Sequence, residues 1–160
     1  MEKEILRILE QDARTTSKQI SAMTGIPGPE VNRFIKQAEK DRTILKYKTI
    51  INWDKADDGQ VLALIEVKLT PEKDVGFDLV AERIYSFPQT VTVYLISGSY
   101  DLFVLVSAKN NHEIADFVSR KLSHLEGVQE TVTQFVLKQY KEDGEVIARK
   151  EEVKRQPVIL

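Results

Sequence analysis

The chain has no cysteine. Disulfides and thiolate-held metals are therefore excluded, and a reducing compartment, the cytoplasm, is the expected location. Long hydrophobic runs are also missing. The two longest, residues 61–65 and 102–106, fall far short of the roughly 20 apolar residues needed to cross a bilayer, so no membrane partner is expected. Only two histidines occur, His112 and His124, both in or beside one helical stretch. No Ser/His/Asp set, metal-ligand cluster or phosphate-binding glycine loop accompanies them, and neither a metal nor any other cofactor is expected. The opening decapeptide MEKEILRILE carries acids at helical spacing and reads as a helix, not as a signal peptide.

What is present suffices for one or two small domains. The 160 residues are 42% apolar, enough for a core in each. The net charge of −2 is unevenly spread: residues 1–55 carry a net +3 and the remainder a net −5. A mildly basic head on an acidic body suits a binding head attached to a body with another job.

The head is organised around residues 16–47. Residues 2–12 form a first helix with Ile5, Ile8 and Leu9 facing inward. Thr16 and Gln19 have capping-box spacing. The helix they start carries Ile20 and Met23 inward and stops at Gly25, which readily adopts φ > 0. After Ile26 and Pro27, Gly28 serves as N-cap and Pro29 as the first helical residue of a second helix. Val31, Ile35 and Ala38 point inward on it. Asn32, Arg33, Lys36, Gln37 and Lys40 point outward. Arg can pair bidentately with guanine, Asn or Gln with adenine, and Lys can neutralise phosphate, so this is the chemistry of a helix that enters the major groove. Ile44 and Ile50 are then expected to pack back while Lys46 and Lys48 alternate outward, a wing or linker strand whose lysines touch phosphate.

Residues 51–60 are polar and turn-rich and mark the boundary, with Trp53 expected to pack between the two parts. Beyond them the period changes to two. Ile65, Val67 and Leu69 alternate with Glu66 and Lys68 in a first strand that ends at Thr70-Pro71. A helix with Phe77, Val80, Ala81 and Ile84 inward follows, then a strand in which Val91, Val93 and Leu95 share one face. The strand over 100–107 is apolar on both faces. A helix running to Leu125 and capped by Gly127 leads to a last strand over 128–138, with Thr131 and Thr133 on one face. The order β-α-β-β-α-β over residues 61–140 fits a ferredoxin-like α+β plait behind a winged helix-turn-helix domain at 1–50. Both helices of such a plait lie on one side. The doubly apolar strand therefore needs cover, most simply a second copy, and a homodimer is expected. The charged tail, 141–160, has no strong stripe.

At this point the pattern resembles the leucine-responsive regulatory protein/AsnC family of "feast/famine" transcription regulators over roughly residues 2–140. The resemblance rests on Ile5-Leu6…Leu9, Asp12-Ala13-Arg14, the helix-turn-helix through Gly25, Val31 and Arg33, Gly98-Ser99-Tyr100-Asp101, and Gly127-Val128 followed by Thr131-Val132-Thr133. It implies a double-stranded-DNA-binding head and a body that dimerises through its sheet. In this family dimers often assemble further into octamers. It also implies an amino-acid effector near the Gly-x-Tyr-Asp loop, lined by Gly98, Ser99, Tyr100 and Asp101, with Thr131 and Thr133 from the last strand. Asp101 would accept the ammonium; the Gly98-Ser99 backbone and the threonines would hold the carboxylate. The family usually has Ser at position 27 and Gly at 42 and 46, where this chain has Pro27, Arg42 and Lys46. The expected function is an effector-modulated DNA-binding regulator and not an enzyme. The alternatives are a DNA-architectural protein without effector and a decarboxylase of the sirohaem-processing type, which resembles the same architecture and would need His112 or His124.

Overall fold

The computed structural model describes residues 2–56, 59–70 and 76–147. The turn expected at Asp57-Asp58, the stop at Pro71 and the tail from residue 148 lie outside the described residues. The chain divides into two compact units, one ending at Ile50 and one beginning at Ile51.

The first unit holds α1 (Glu2–Gln11), α2 (Ser17–Thr24) and α3 (Gly28–Lys40). Thr16 accepts the Gln19 N–H while Gln19 accepts the Thr16 N–H at 2.8 Å, a complete capping box. Such a cap contributes about 1 kcal/mol to the helix it starts. Gly25 ends α2 at φ 75, with its N–H on the Ser21 carbonyl. Ile5, Leu9, Ile20, Ile26 and Val31 form the core, flanked by Ile8, Phe34, Ile35 and Ile44.

Three expectations are corrected here. Met23 is 66% exposed. Ile26, folding back past Gly25, joins the core instead, and Thr24 turns inward with its hydroxyl on the Ile20 carbonyl. Pro27, not Gly28, is the N-cap of α3. Gly28 and Pro29 fill the first two helical positions, where backbone N–H groups have no intrahelical partner and a proline loses nothing. The strand expected over 44–50 does not form; Ile44 packs on the core and residues 45–50 have no regular structure. A single short segment with no second strand beside it has no ladder to join.

The second unit begins with α4 (Trp53–Ala56), a single turn on which Trp53 remains half-exposed. Then follow β1 (Val61–Leu69), α5 (Phe77–Tyr85), β2 (Thr90–Leu95), β3 (Leu102–Ala108), α6 (Asn111–Arg120), a 3-10 turn (Leu122–His124) and β4 (Val128–Phe135). The sheet is antiparallel throughout in the order β2-β3-β1-β4, the split-βαβ plait. Burial alternates along it: Val61, Ala63, Ile65 and Val67 pair with Ala108, Val106, Val104 and Leu102 on one face, and Val80, Ile84, Ile114 and Phe117 of the helices cover them. Phe87 meets Phe117 edge to face at 5.3 Å. The opposite face carries Leu62, Leu64, Phe103, Leu105 and Val132, half-buried, and lies away from α5 and α6.

The departures again have local causes. Phe77 is 48% exposed because it opens α5, and a first-turn side chain leans past the helix start. The pairing of β2 slips between Thr90 and Thr92, so Val91 bulges out and only Val93 reaches the core. α6 stops at Arg120 and the 3-10 turn carries the chain to Gly127, whose φ of 91 bends it into β4. Beyond β4 the chain is not featureless: β5 (Lys141–Glu142) and β6 (Glu145–Val146) form a hairpin. Asp143 and Gly144 turn it at φ 43 and 89, the Asp-Gly signature of a two-residue turn. The Asn52 side-chain amide donates to the Ile147 carbonyl, tying the linker to this hairpin.

Candidate DNA-reading face and effector loop

The capping box and Gly25 fix where α2 starts and stops, and buried Val31 and Ala38 fix the roll of α3. That roll leaves Asn32, Arg33, Lys36, Gln37 and Lys40 exposed. Arg33, Lys36, Lys40 and the exposed Lys46 make no hydrogen bond or ion pair among the described residues. Asn32 differs: its side-chain oxygen accepts the Ser17 hydroxyl at 2.6 Å, bracing α3 against the start of α2. Gln37 leans on Asp41, whose carboxyl is held below its usual value chiefly by the Thr43 hydroxyl and amide. The Tyr47 hydroxyl donates to Glu39 at 2.8 Å; burial, then Glu39, pushes its pKa up. Sequence reasoning missed the Ser17 brace, because a bond spanning 15 residues leaves no periodic trace.

In the second unit, Gly98 and Ser99 are exposed at the tip of the β2–β3 connection, with Gly98 at φ 144. Asp101 is half-buried and engaged. Its carboxylate accepts the Leu69 N–H at 2.8 Å and pairs with Lys68 at 3.4 Å, while its own N–H donates to the Val67 carbonyl. Tyr100 lies against Glu130 and Glu66, and burial followed by those two charges raises its phenol pKa. Glu66 in turn accepts from Gln134 at 3.1 Å. Lys68, Glu66 and Glu130 were not singled out from sequence; they are the outward members of alternating strands, and only the register brings them to the loop.

Thr131 and Thr133 lie elsewhere. They pair with Val67 and Ile65 and so share the helix-covered face, where Thr131 stands 3.5 Å from Ser123. Within one protomer the structure does not bring them to the Tyr100 side of the sheet. His112 lies 3.7 Å from Asp116 on the exposed side of α6, and His124 is exposed on the 3-10 turn. No group of three or more metal-ligating side chains occurs among the described residues, and no helix among them is long and apolar enough to cross a membrane.

A helix-turn-helix with a free cationic face, joined to an α+β plait, defines a DNA-binding regulator with a second domain for a ligand. Residues 1–44 match a winged helix-turn-helix DNA-binding domain and residues 62–146 the Lrp/AsnC ligand-binding domain. The HTH-type transcriptional regulator YugG of Bacillus subtilis is 46% identical over 155 residues, 96% of this chain and 93% of its own. The HTH-type transcriptional regulator FL11 of Pyrococcus furiosus is 31% identical over 146 residues, 91% of this chain and 93% of its own. The transcriptional regulator NMB0573 of Neisseria meningitidis, solved in complex with L-Met, has the same fold, with a TM-score of 0.67 at 22% identity over 88% of this chain and 90% of that one. The chain belongs to the Lrp/AsnC family of transcription regulators.

Proposed function

We propose that this regulator reads double-stranded DNA with Arg33, Lys36, Gln37 and Lys40, with Asn32 and Lys46 in support, and answers to a free amino acid at the Gly98-Ser99-Tyr100-Asp101 loop. The observation that carries the first half is a short helix whose outward cations have no partner among the described residues. A helix that served only packing would gain by pairing them with acids along its own face. The second half is supported by the ligand-binding domain itself and by the L-Met held by the Neisseria relative. Working location is the cytoplasm, and no catalytic role is assigned.

The uncovered, half-buried sheet face favours a homodimer, built from Leu62, Leu64, Phe103, Leu105 and Val132 of two copies. Two heads about a two-fold call for a palindromic site with half-sites roughly 10 bp apart or a multiple of it. The amino acid then shifts the population between assemblies and so the spacing of the heads. The test is affinity for duplex DNA from upstream of the protein's own gene. Arg33→Ala and Lys36→Ala should each weaken binding about 10-fold or more, Arg33→Ala also relaxing sequence preference. Wild-type affinity and salt slope in both variants would remove the assignment of this face.

A further inference from the structure

Arg42 is the first residue beyond the Asp41 C-cap of α3, and its backbone sits at φ 64. That left-handed conformation is strained for a residue with a side chain, which is why glycine often stands at the end of a helix. Among the described residues only one other non-glycine, Asp143, has positive φ, and Asp tolerates it in tight turns. The bend itself serves the fold. The Arg42 N–H reaches the Glu39 carbonyl, the Ile44 N–H reaches the Ala38 carbonyl, and Ile44 swings on to the core. The side chain serves none of this. It is exposed and makes no hydrogen bond or ion pair among the described residues. The fold needs the bend and has no use for the guanidinium.

The surroundings say what the guanidinium is for. Residues 36–48 hold Lys36, Lys40, Arg42, Lys46 and Lys48 against Glu39 and Asp41. A helix C-terminus presents carbonyl oxygens and partial negative charge, and Asp41 adds a full one. Lys36, Lys40, Lys46 and Lys48 keep the segment cationic even without Arg42. A planar, always-charged fork directly after Asp41 adds a cation where the helix ends in carbonyls, and it fits phosphate geometry. We propose that Arg42 is a phosphate-contacting residue that anchors the C-terminal end of α3 to the DNA backbone. This rests on the DNA-reading assignment of α3 and adds to it a contact that carries no base preference.

The experiment compares wild type, Arg42→Gly, Arg42→Lys and Arg33→Ala. Each is titrated against a labelled 40-bp duplex from upstream of the gene and a shuffled duplex of equal composition, across a range of NaCl, with melting followed in parallel. Arg42→Gly should melt at or above wild type, since its strain is gone. It should nevertheless bind both duplexes about 3- to 10-fold more weakly, with a salt slope shallower by about one; Arg42→Lys should keep the slope. Arg42→Gly that binds both duplexes as wild type does, while Arg33→Ala is weakened, overturns the Arg42 assignment alone. Wild type that binds neither duplex, or Arg33→Ala indistinguishable from wild type, overturns the reading of α3 and Arg42 with it.

Discussion

The Asp101 carboxylate accepts the Leu69 backbone N–H at 2.8 Å, joining the start of β3 to the end of β1 across 32 residues of sequence. The same oxygen faces the Lys68 ammonium at 3.4 Å. These two contacts differ in worth. A half-buried amide that loses its acceptor costs about 1–3 kcal/mol, whereas an ion pair whose two ends both still reach solvent contributes about 0–1 kcal/mol. Asp101→Ala should therefore lower the melting temperature by several degrees and Lys68→Ala by little. Equal losses in the two variants, measured by thermal denaturation, would mean that the ion pair and not the amide holds the loop.

Tyr100 gives a pH signature. Burial, then Glu130 and Glu66, raises its pKa above the ordinary 10.0 in the folded chain. A phenol that binds its proton more tightly when folded stabilises the fold fully below the unfolded value, and that contribution disappears as pH rises through the folded one. The melting temperature of wild type should thus fall faster above pH 10 than that of Tyr100→Phe. Glu130→Gln should bring the phenol's titration, followed by ultraviolet absorbance, back toward 10. An unmoved titration in that variant would show that Glu130 does not face the phenol.

Phe103 pairs with Glu66 on the uncovered side of the sheet. Phe103→Glu would set two carboxylates side by side there, a repulsion that two copies pressed together would double. The expected result is a folded monomer, read as halved mass by light scattering with an unchanged circular dichroism spectrum. An assembly of wild-type mass would take this face out of the dimer.

Much of the architecture could be read directly from residue spacing. The alternation of Ile65, Val67 and Leu69 with Glu66 and Lys68 and the capping box at Thr16 and Gln19 each determine local structure on their own. The misplacements occur where two residues compete for one space. Met23 lost the core to Ile26 because Gly25 turns the chain sharply enough to bring Ile26 back. Val91 lost its place to a pairing slip that spacing cannot foresee. The loop at 98–101 could be found as a turn with charge, but its partners could not. Lys68 reaches Asp101 only because Val67 pairs with Leu102, a register fixed by the whole sheet. Thr131 and Thr133 read correctly as sharing a face, while which face it is depends on the partner strand's phase.

The Val91 bulge has a consequence for the molecule's outer rim. β2 is the outermost strand on its side, and its sequence, TVTVYL, contains no charge, no lysine and no proline. Proteins ordinarily guard such a rim with one of these against unwanted stacking. A bulge also breaks the regular row of edge N–H and C=O groups, and the slip at Val91 is the device of that kind that β2 carries.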